Sequence, residues 1–522
     1  LAVVLAGGLL LGLAWLAALS PPLFYDALHY HLALPNLFLL RGKIEALPSV
    51  VTSYYPLGPQ MLFLLGFFLE GPTLASLVNF LFACLSLVAL SALALRCRSR
   101  WAALAAPVLY LSLPMAFWLS RYATTEHPLA FFFLLEVLCL LAWREEGGRG
   151  WLLLAGLLGG FAAAAKYVGA LFSVILPGLL LLGPLGPPRG ERRRLASSLL
   201  LFAGAAALPL FPWLAKNAAW AGNPLYPALG GLFGGESLDP ARARLLAGDA
   251  HAAWVLAGSW RDFARLPWDL VAGGGRDLGA ASVTTWAWPL GILAGIALWP
   301  RPSRRRERIL LLLLAGSLLL WAGTFWMARF LLPAAGVAVL LLALTLARPG
   351  RRWGGWGGAA AVLVLAGINL AVILADAPTR RALGPALGAQ RRQDYLASQL
   401  RSHRVAGYVN ARLPPESRIL VLGETRVAYL RRDHIFQTAY DRSVLEHSTG
   451  APPEGWVGET LRRLGVTHIL VNYPEMERLE GQYATYRGLA ASLPQLNRLA
   501  GERGTLLVSD RGVSLFALGA GP

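Results

Sequence analysis

Residues 73–95 read TLASLVNFLFACLSLVALSALAL, and residues 96–100 that follow read RCRSR. The first stretch carries no charged side chain, and at about 1.5 Å per helical residue it is long enough for the roughly 30 Å hydrocarbon core of a bilayer. The second brings Arg96, Arg98 and Arg100 together, and a new apolar run starts at once over residues 102–119. Apolar run, arginine turn, apolar run is the pattern of two membrane helices joined on the cytoplasmic side, where short loops collect Lys and Arg.

The same reading, carried outward, gives about eleven spans, near 1–19, 73–95, 102–119, 128–143, 151–166, 168–187, 196–215, 284–299, 309–326, 331–347 and 355–375. Further arginines cluster at Arg189 and Arg192 to Arg194, at Arg301, Arg304 to Arg306 and Arg308, and at Arg348, Arg351 and Arg352. Each cluster lies between two apolar runs, and with this count all of them fall on one side. A missed or invented helix would break that agreement. It puts the tail, residues 376–522, on the outer side.

Composition agrees. A chain of 522 residues that is 56% hydrophobic has more apolar surface than one water-soluble domain can bury. The net charge of +18 raises the possibility of nucleic acid, but much of it sits in the short turns, and no basic face interleaved with aromatic residues stands out. Cys84 and Cys139 lie in apolar runs and Cys97 in a basic turn, so no disulfide or metal pattern emerges. Leu1 to Leu19 has the look of a signal-peptide core, yet Pro21 would directly follow the cut and no basic segment precedes the run, which is therefore expected to be a retained first span.

Two outer loops are long. Residues 20–72 contain apolar pieces, Asp26 to Leu40 and Gly58 to Leu69, broken or bounded by prolines and too short to span, so they are expected in the membrane interface. Residues 216–283 are rich in Gly and Trp; Trp220, Trp254, Trp260 and Trp268, with Trp286 and Trp288 beyond, suit the headgroup level. The tail changes character. RILVLG at 418–423 and THILVN at 467–472 read as buried strands, a helix from Glu459 to Leu464 precedes the second, and 505–509 with 513–518 read as a hairpin. The expected fold is a polytopic α-helical membrane domain, residues 1–375, followed by a soluble outer α/β domain, residues 376–522. The VLGE turn lacks the glycine pattern of a dinucleotide site.

Polar groups at the edge of a membrane bundle are costly, which makes them the first functional candidates. In YDALHYH, residues 25–31, helical spacing puts Asp26 and His29 on one face and turns His31 partly away; the ordinary reading is a helix cap with interfacial histidines. In RYATTEHP, residues 121–128, Glu126 falls on the same side of the membrane as Asp26, flanked by Arg121 and His127. Two carboxylates from separate loops could share a cleft, one as base and one as metal or orientation partner; otherwise Glu126 favours the N-terminus of the following helix. Lys166, Lys216 and Arg329 each stand at the outer end of a span, able to hold a phosphate or to snorkel to lipid headgroups. Asn223, in KNAAWAGNPLYP, either shapes the second loop or joins the site.

At these residues the chain resembles the membrane glycosyltransferases of the GT-C fold, the superfamily of protein mannosyltransferases, lipid A aminoarabinose transferases and RgtA/B/C/D-like bacterial enzymes. YDALHYHLALP resembles the acidic first-loop motif, and SYYPLGPQ, which contains Tyr55, the later proline-rich segment. RYATTEHPLAFF resembles the second acidic loop, and AAAAKYVG, WLAKNAAWAGNPLYP and ARFLLP follow in the family's order. LPPESRILVLGETRVAYL and LGVTHILVN resemble the outer α/β domain of some members.

The resemblance implies transfer of a sugar from a polyprenyl-phosphate donor to an acceptor lipid, glycan or protein, on the outer face of a bacterial inner membrane. It makes Asp26 the general base and Glu126 a holder of acceptor or divalent metal, Mg or Mn. Lys166, Lys216 or Arg329 would stabilise the departing phosphate. His29, His31, Tyr55, Arg121, His127 and Asn223 complete the substrate-binding candidates. Many relatives have an Asp-Glu pair where this chain has Asp26 and Ala27, which leaves the metal open. A transporter of lipid-linked saccharide would place ionisable groups at mid-depth, where only Glu136 is found, and would often repeat internally. A non-catalytic envelope-assembly protein would have lost the first-loop acid, which Asp26 retains.

Overall fold

The computed structural model describes residues 1–186, 192–234, 242–243, 305–324, 327–347, 356–447 and 450–519. The expected span at 284–299 and most of the loop 216–283, with Trp254, Trp260 and Trp268, lie outside the described residues, as do Trp286 and Trp288.

The amino-terminal helices are α1 (Ala2–Ala18), α2 (Ala33–Arg41), α3 (Gly58–Glu70), α4 (Pro72–Arg96), α5 (Arg100–Ser112), α6 (Pro114–Ser120), α7 (Glu126–Glu146) and α8 (Arg149–Ala165). A broken segment over Tyr167–Leu181 and the helices Arg192–Ala221, Arg305–Thr324, Leu332–Leu346 and Trp356–Ala375 follow. By length and composition, five described helices can cross a membrane, and the pair α5 and α6, bent by 75°, makes a sixth. Among the described residues the count by this measure is five or six, against eleven expected for the whole chain. Two expected spans, α1 and α8, have only 17 residues each, and the run expected at 168–187 is interrupted by a π turn, Leu171–Ile175. The bend after α5 has a local cause: Pro114 forces Leu113 out of helical geometry, to ψ 121°.

Helix α7 is the ruler of the bundle. Its 21 residues measure about 30 Å, one bilayer core. Glu126 opens it, where the helix dipole favours an anion. Glu145 and Glu146 close it, and both pair with Arg96, the last residue of α4, at 2.8 and 2.5 Å, while Arg306 at the start of Arg305–Thr324 reaches Glu145 too. Two of the arginine clusters thus meet at the end of α7 remote from Glu126. Helix α8 packs against Arg192–Ala221 through Gly156 and Gly160, where a Cβ would run into the carbonyls of Phe202 and Ala206. Small residues one turn apart let two backbones touch where lipid supplies no hydrophobic drive.

After Trp356–Ala375 the chain builds an α/β unit on a five-stranded sheet. Its strands are β1 (Arg418–Leu422), β2 (Asp433–Ile435), β3 (His468–Asn472), β4 (Gly504–Asp510) and β5 (Val513–Leu518), in the order β2-β1-β3-β5-β4. β1 pairs in parallel with both β2 and β3, and β5 runs antiparallel to β3 and β4. The first loop does not lie open in an interface at α2. Leu28, Leu34, Leu37 and Phe38 are buried in one hydrophobic cluster with Val405, Val409, Ile419 and Phe436 of the α/β unit. Polar contacts fix the same seam: Asn36 donates to the Leu430 carbonyl at 2.7 Å, Arg41 pairs with Asp433 at 2.9 Å, and the Val51 amide donates to Asp441 at 2.8 Å. In α3, Leu62, Leu65, Phe68 and Leu69 remain exposed.

Candidate active site

Residues Ala27–His31 form a π turn rather than an α-helical one. Its hydrogen bonds close over five residues, so positions five apart come round to nearly the same face. α geometry would turn His31 partly away from Asp26, and the wider turn reverses this: His31 faces the acids and is 1% exposed. Its Nδ1 lies 2.9 Å from the Gln60 amide nitrogen. Burial pushes both imidazoles well below their ordinary range, His29 to about 4 and His31 to about 3. Both are neutral at physiological pH.

Around this turn four charges from four segments converge. Arg329 Nη2 donates to Asp26 Oδ2 at 2.7 Å, and Arg329 Nε lies 3.5 Å from Glu126 Oε1. Lys166 Nζ donates to the same Glu126 oxygen at 3.0 Å. The two acids and two cations balance, which is what burial requires of charge. Access differs sharply within the quartet: the Asp26 side chain is 21% exposed and that of Glu126 2%. Burial is the largest single influence and works against the Asp26 charge, but Arg329, His31, Lys166 and His29 together bring the carboxyl below its usual value. Glu126 Oε2 is buried and has no hydrogen-bond partner among the described residues. Phe330 backs both cations, with Lys166 Nζ 4.1 Å and the Arg329 guanidinium carbon 5.5 Å from its ring centre.

Lys216 stands in an adjoining group. It donates to the carbonyls of Ser53 and Tyr55 at 2.7 and 3.1 Å and lies against Trp213 and Trp220. The Tyr55 ring, 6.4 Å from Tyr30 and 6.2 Å from Tyr167, connects this group to the acids. Three candidates are placed elsewhere. Arg121 packs on Tyr122 and reaches Thr379 at 3.3 Å, while His127 Nε2 meets the Ala116 carbonyl at 2.9 Å. Asn223 closes its own turn, accepting from the Leu225 amide and donating to the Ala228 carbonyl. Sequence reasoning passed over Gln60 and Phe330, although each sits inside or beside a quoted motif.

The expected Mg or Mn does not fit this arrangement. A guanidinium already stands between the two carboxylates, the ammonium takes the near oxygen of Glu126, and no group of three His, Cys, Asp or Glu side chains converges among the described residues. Divalent ions need several oxygen or nitrogen donors at once.

The bundle with its appended sheet has the fold of the GT-C membrane glycosyltransferases. The solved structures it is similar to are distant in sequence. Residues 71–219 match the family model of dolichyl-phosphate-mannose-protein mannosyltransferase. ArnT from Cupriavidus metallidurans in the apo state superposes with a TM-score of 0.57 at 16% identity, over 97% of this chain and 95% of that one. ArnT bound to undecaprenyl phosphate gives 0.56 at 15%, over 99% and 97%. The Archaeoglobus fulgidus oligosaccharyltransferase in complex with Zn and sulfate gives 0.53 at 14%, over 99% of this chain and 73% of that one. No curated protein sequence matches the chain.

Proposed function

We propose that this chain is an integral membrane glycosyltransferase that moves a sugar from a polyprenyl-phosphate carrier to an acceptor hydroxyl on the outer face of a bacterial inner membrane. In this reading residues 1–375 form the transferase domain, crossing the bilayer about eleven times, and residues 376–522 lie outside with the site. The observation that carries it is the quartet of Asp26, Arg329, Glu126 and Lys166, gathered at the end of α7 opposite the arginine turns. The likeness to ArnT, of which one structure holds undecaprenyl phosphate, supports the donor class.

Asp26, the acid with the greater access, takes the proton of the acceptor hydroxyl. The acceptor oxygen bonds to the anomeric carbon, and the bond from that carbon to the phosphate oxygen breaks in line. The electron pair leaves with the polyprenyl phosphate, whose growing negative charge falls to Lys166 and Arg329, with Lys216 nearby. The free Oε2 of Glu126 accepts a hydroxyl of sugar or acceptor. Each role rests on residues of the chain alone, and no step uses a metal ion.

The test is reconstitution in proteoliposomes with a panel of undecaprenyl-phosphate-linked hexoses and pentoses and a lysate-derived acceptor pool. Wild type consumes at least one donor, and Asp26→Asn, present at equal level, consumes none; equal turnover by the two rejects the assigned base. Sugar that crosses the vesicle without any transfer would replace this reading with a transporter.

A further inference from the structure

In open α/β sheets the carboxyl ends of parallel strands are where ligands bind. Here that crest is occupied by the protein itself. β1 and β3 end side by side at Leu422 and Asn472, and the chain turns from β1 through Gly423, at φ +75°, into Glu424, Thr425 and Arg426. Glu424, 3% exposed, accepts from the amides of Thr425 and Arg426, from the Arg426 guanidinium and from Asn472 Nδ2, so the turn is locked to both strands. What it holds is Tyr25 of the first loop. The Thr425 hydroxyl donates to the Tyr25 hydroxyl at 2.6 Å, and the guanidinium carbons of Arg426 and Arg478 lie 5.7 and 5.8 Å from the Tyr25 ring centre. Both arginines are held in turn by acids, Arg426 by Glu424 and Arg478 by Glu475. Their role toward Tyr25 is therefore to grip a ring face rather than to receive an anion.

Tyr25 immediately precedes Asp26. We infer that Tyr25 is a positioning residue, through which the α/β unit fixes the direction of the Asp26 carboxylate, so that the unit is a working part of the site rather than an appended module. The inference rests on the reading of Asp26 as the base. A neighbour pinned by a ring, a hydroxyl and the Leu28 carbonyl, which accepts from the Ala428 amide at 3.3 Å, leaves the acid little angular freedom. Arg329 alone, joined to Asp26 by a single hydrogen bond at 2.7 Å, fixes one oxygen and not the plane.

The experiment compares Tyr25→Ala, Tyr25→Phe and Asp26→Asn in the full-length chain. The substrate is the undecaprenyl-phosphate-linked sugar of the panel that wild type consumes fastest. Tyr25→Ala lowers kcat about tenfold or more with donor KM within about twofold, because loss of orientation acts on the transition state more than on binding. Tyr25→Phe keeps the gripped ring and restores most of the rate. In parallel, hydrogen exchange in nanodiscs speeds about tenfold over residues 22–34 in Tyr25→Ala while β1 stays protected, which separates a released loop from an unfolded unit. Wild-type kcat in Tyr25→Ala, beside an inactive Asp26→Asn, overturns the inference and leaves the base standing. A Tyr25→Phe as slow as Tyr25→Ala, with exchange over residues 22–34 unchanged from wild type, also overturns it, since the hydroxyl would then act on the reaction itself and not through the hold of Thr425. Full activity of Asp26→Asn removes the base and the positioning role with it, whatever the exchange data give.

Discussion

Asp26 and Arg329 stand 303 positions apart in the chain, and 2.7 Å separates the Asp26 carboxylate from the Arg329 guanidinium. That pair joins the first loop to the segment ahead of helix Leu332–Leu346, and through Arg329 Nε it extends to Glu126. A planar cation with a fork of donors is suited to two acids that approach from different directions.

Arg329→Lys should therefore be a severe change. Lysine keeps the charge but cannot serve Asp26 and Glu126 with separate nitrogens in fixed geometry. Donor turnover is expected to fall about 100-fold, the scale on which lost transition-state donors are felt. The measurement is the rate of undecaprenyl phosphate release; a loss of less than threefold would contradict the bridge.

The pair Lys166 and Glu126 makes a statement about stability. Lys166→Met leaves a carboxylate 2% exposed with a cation removed, at a cost of about 3 kcal/mol. Adding Glu126→Gln removes the stranded charge. The double variant is expected to unfold later than Lys166→Met alone in thermal scans in detergent, although both are inactive.

Asp441 gives the pH dependence a sign. Burial raises its carboxyl to about 6, with hydrogen bonds from Thr438 and from the Val51 amide pulling the other way. A folded value above the unfolded one means that the proton favours the folded state. The stabilisation is complete below about pH 4, near the ordinary carboxyl value, and is lost as pH rises through about 6. The seam between Val51 and the α/β unit should be better protected from hydrogen exchange at pH 5 than at pH 7.5, and Asp441→Asn should flatten that difference.

Asp26 differs in sign. Held below its usual value, it stays ionised across the same range, and its contribution to the fold is lost only as pH falls through its own lowered value. With Asp26 as the proposed base, turnover is expected to persist through the ordinary carboxyl range and to decline only below it, provided the α/β unit remains folded.

Gly160→Leu should prevent assembly of the bundle. Its Cβ would meet the Ala206 carbonyl and the ring of Pro209, neither of which can swing aside. Expression in the membrane fraction is expected to fall severalfold, whereas Gly8→Leu, with open space at its Cβ, should be tolerated.

The helical runs were legible because hydropathy and arginine turns both report the bilayer, and α4 and α7 begin and end within a few residues of their expected limits. The strands β1, β3, β4 and β5 were equally plain as short apolar runs between turns. Three residues of β2 carry no such pattern, since Asp433 is there to pair with Arg41 and Arg418. The acids could be picked out as costly polar groups, but their partners could not: Arg329 and Lys166 looked alike from sequence, and only the fold gives one of them two acids. The π turn at Ala27–His31 was hidden because α and π spacing use the same residue types. Nor did the apolar character of α2 say whether lipid or protein would cover it.

What covers α2 is made last. Asn36 waits for Leu430, 394 positions downstream, and at synthesis rates of about 5 to 20 residues per second that is roughly 20 to 80 s. Over that interval the nascent chain carries a greasy half-site with its charges unmatched, until Arg329 and then the sheet arrive. A chain cut short before residue 425 would leave the apolar face of α2 and the Tyr25 hydroxyl without the partners that cover them.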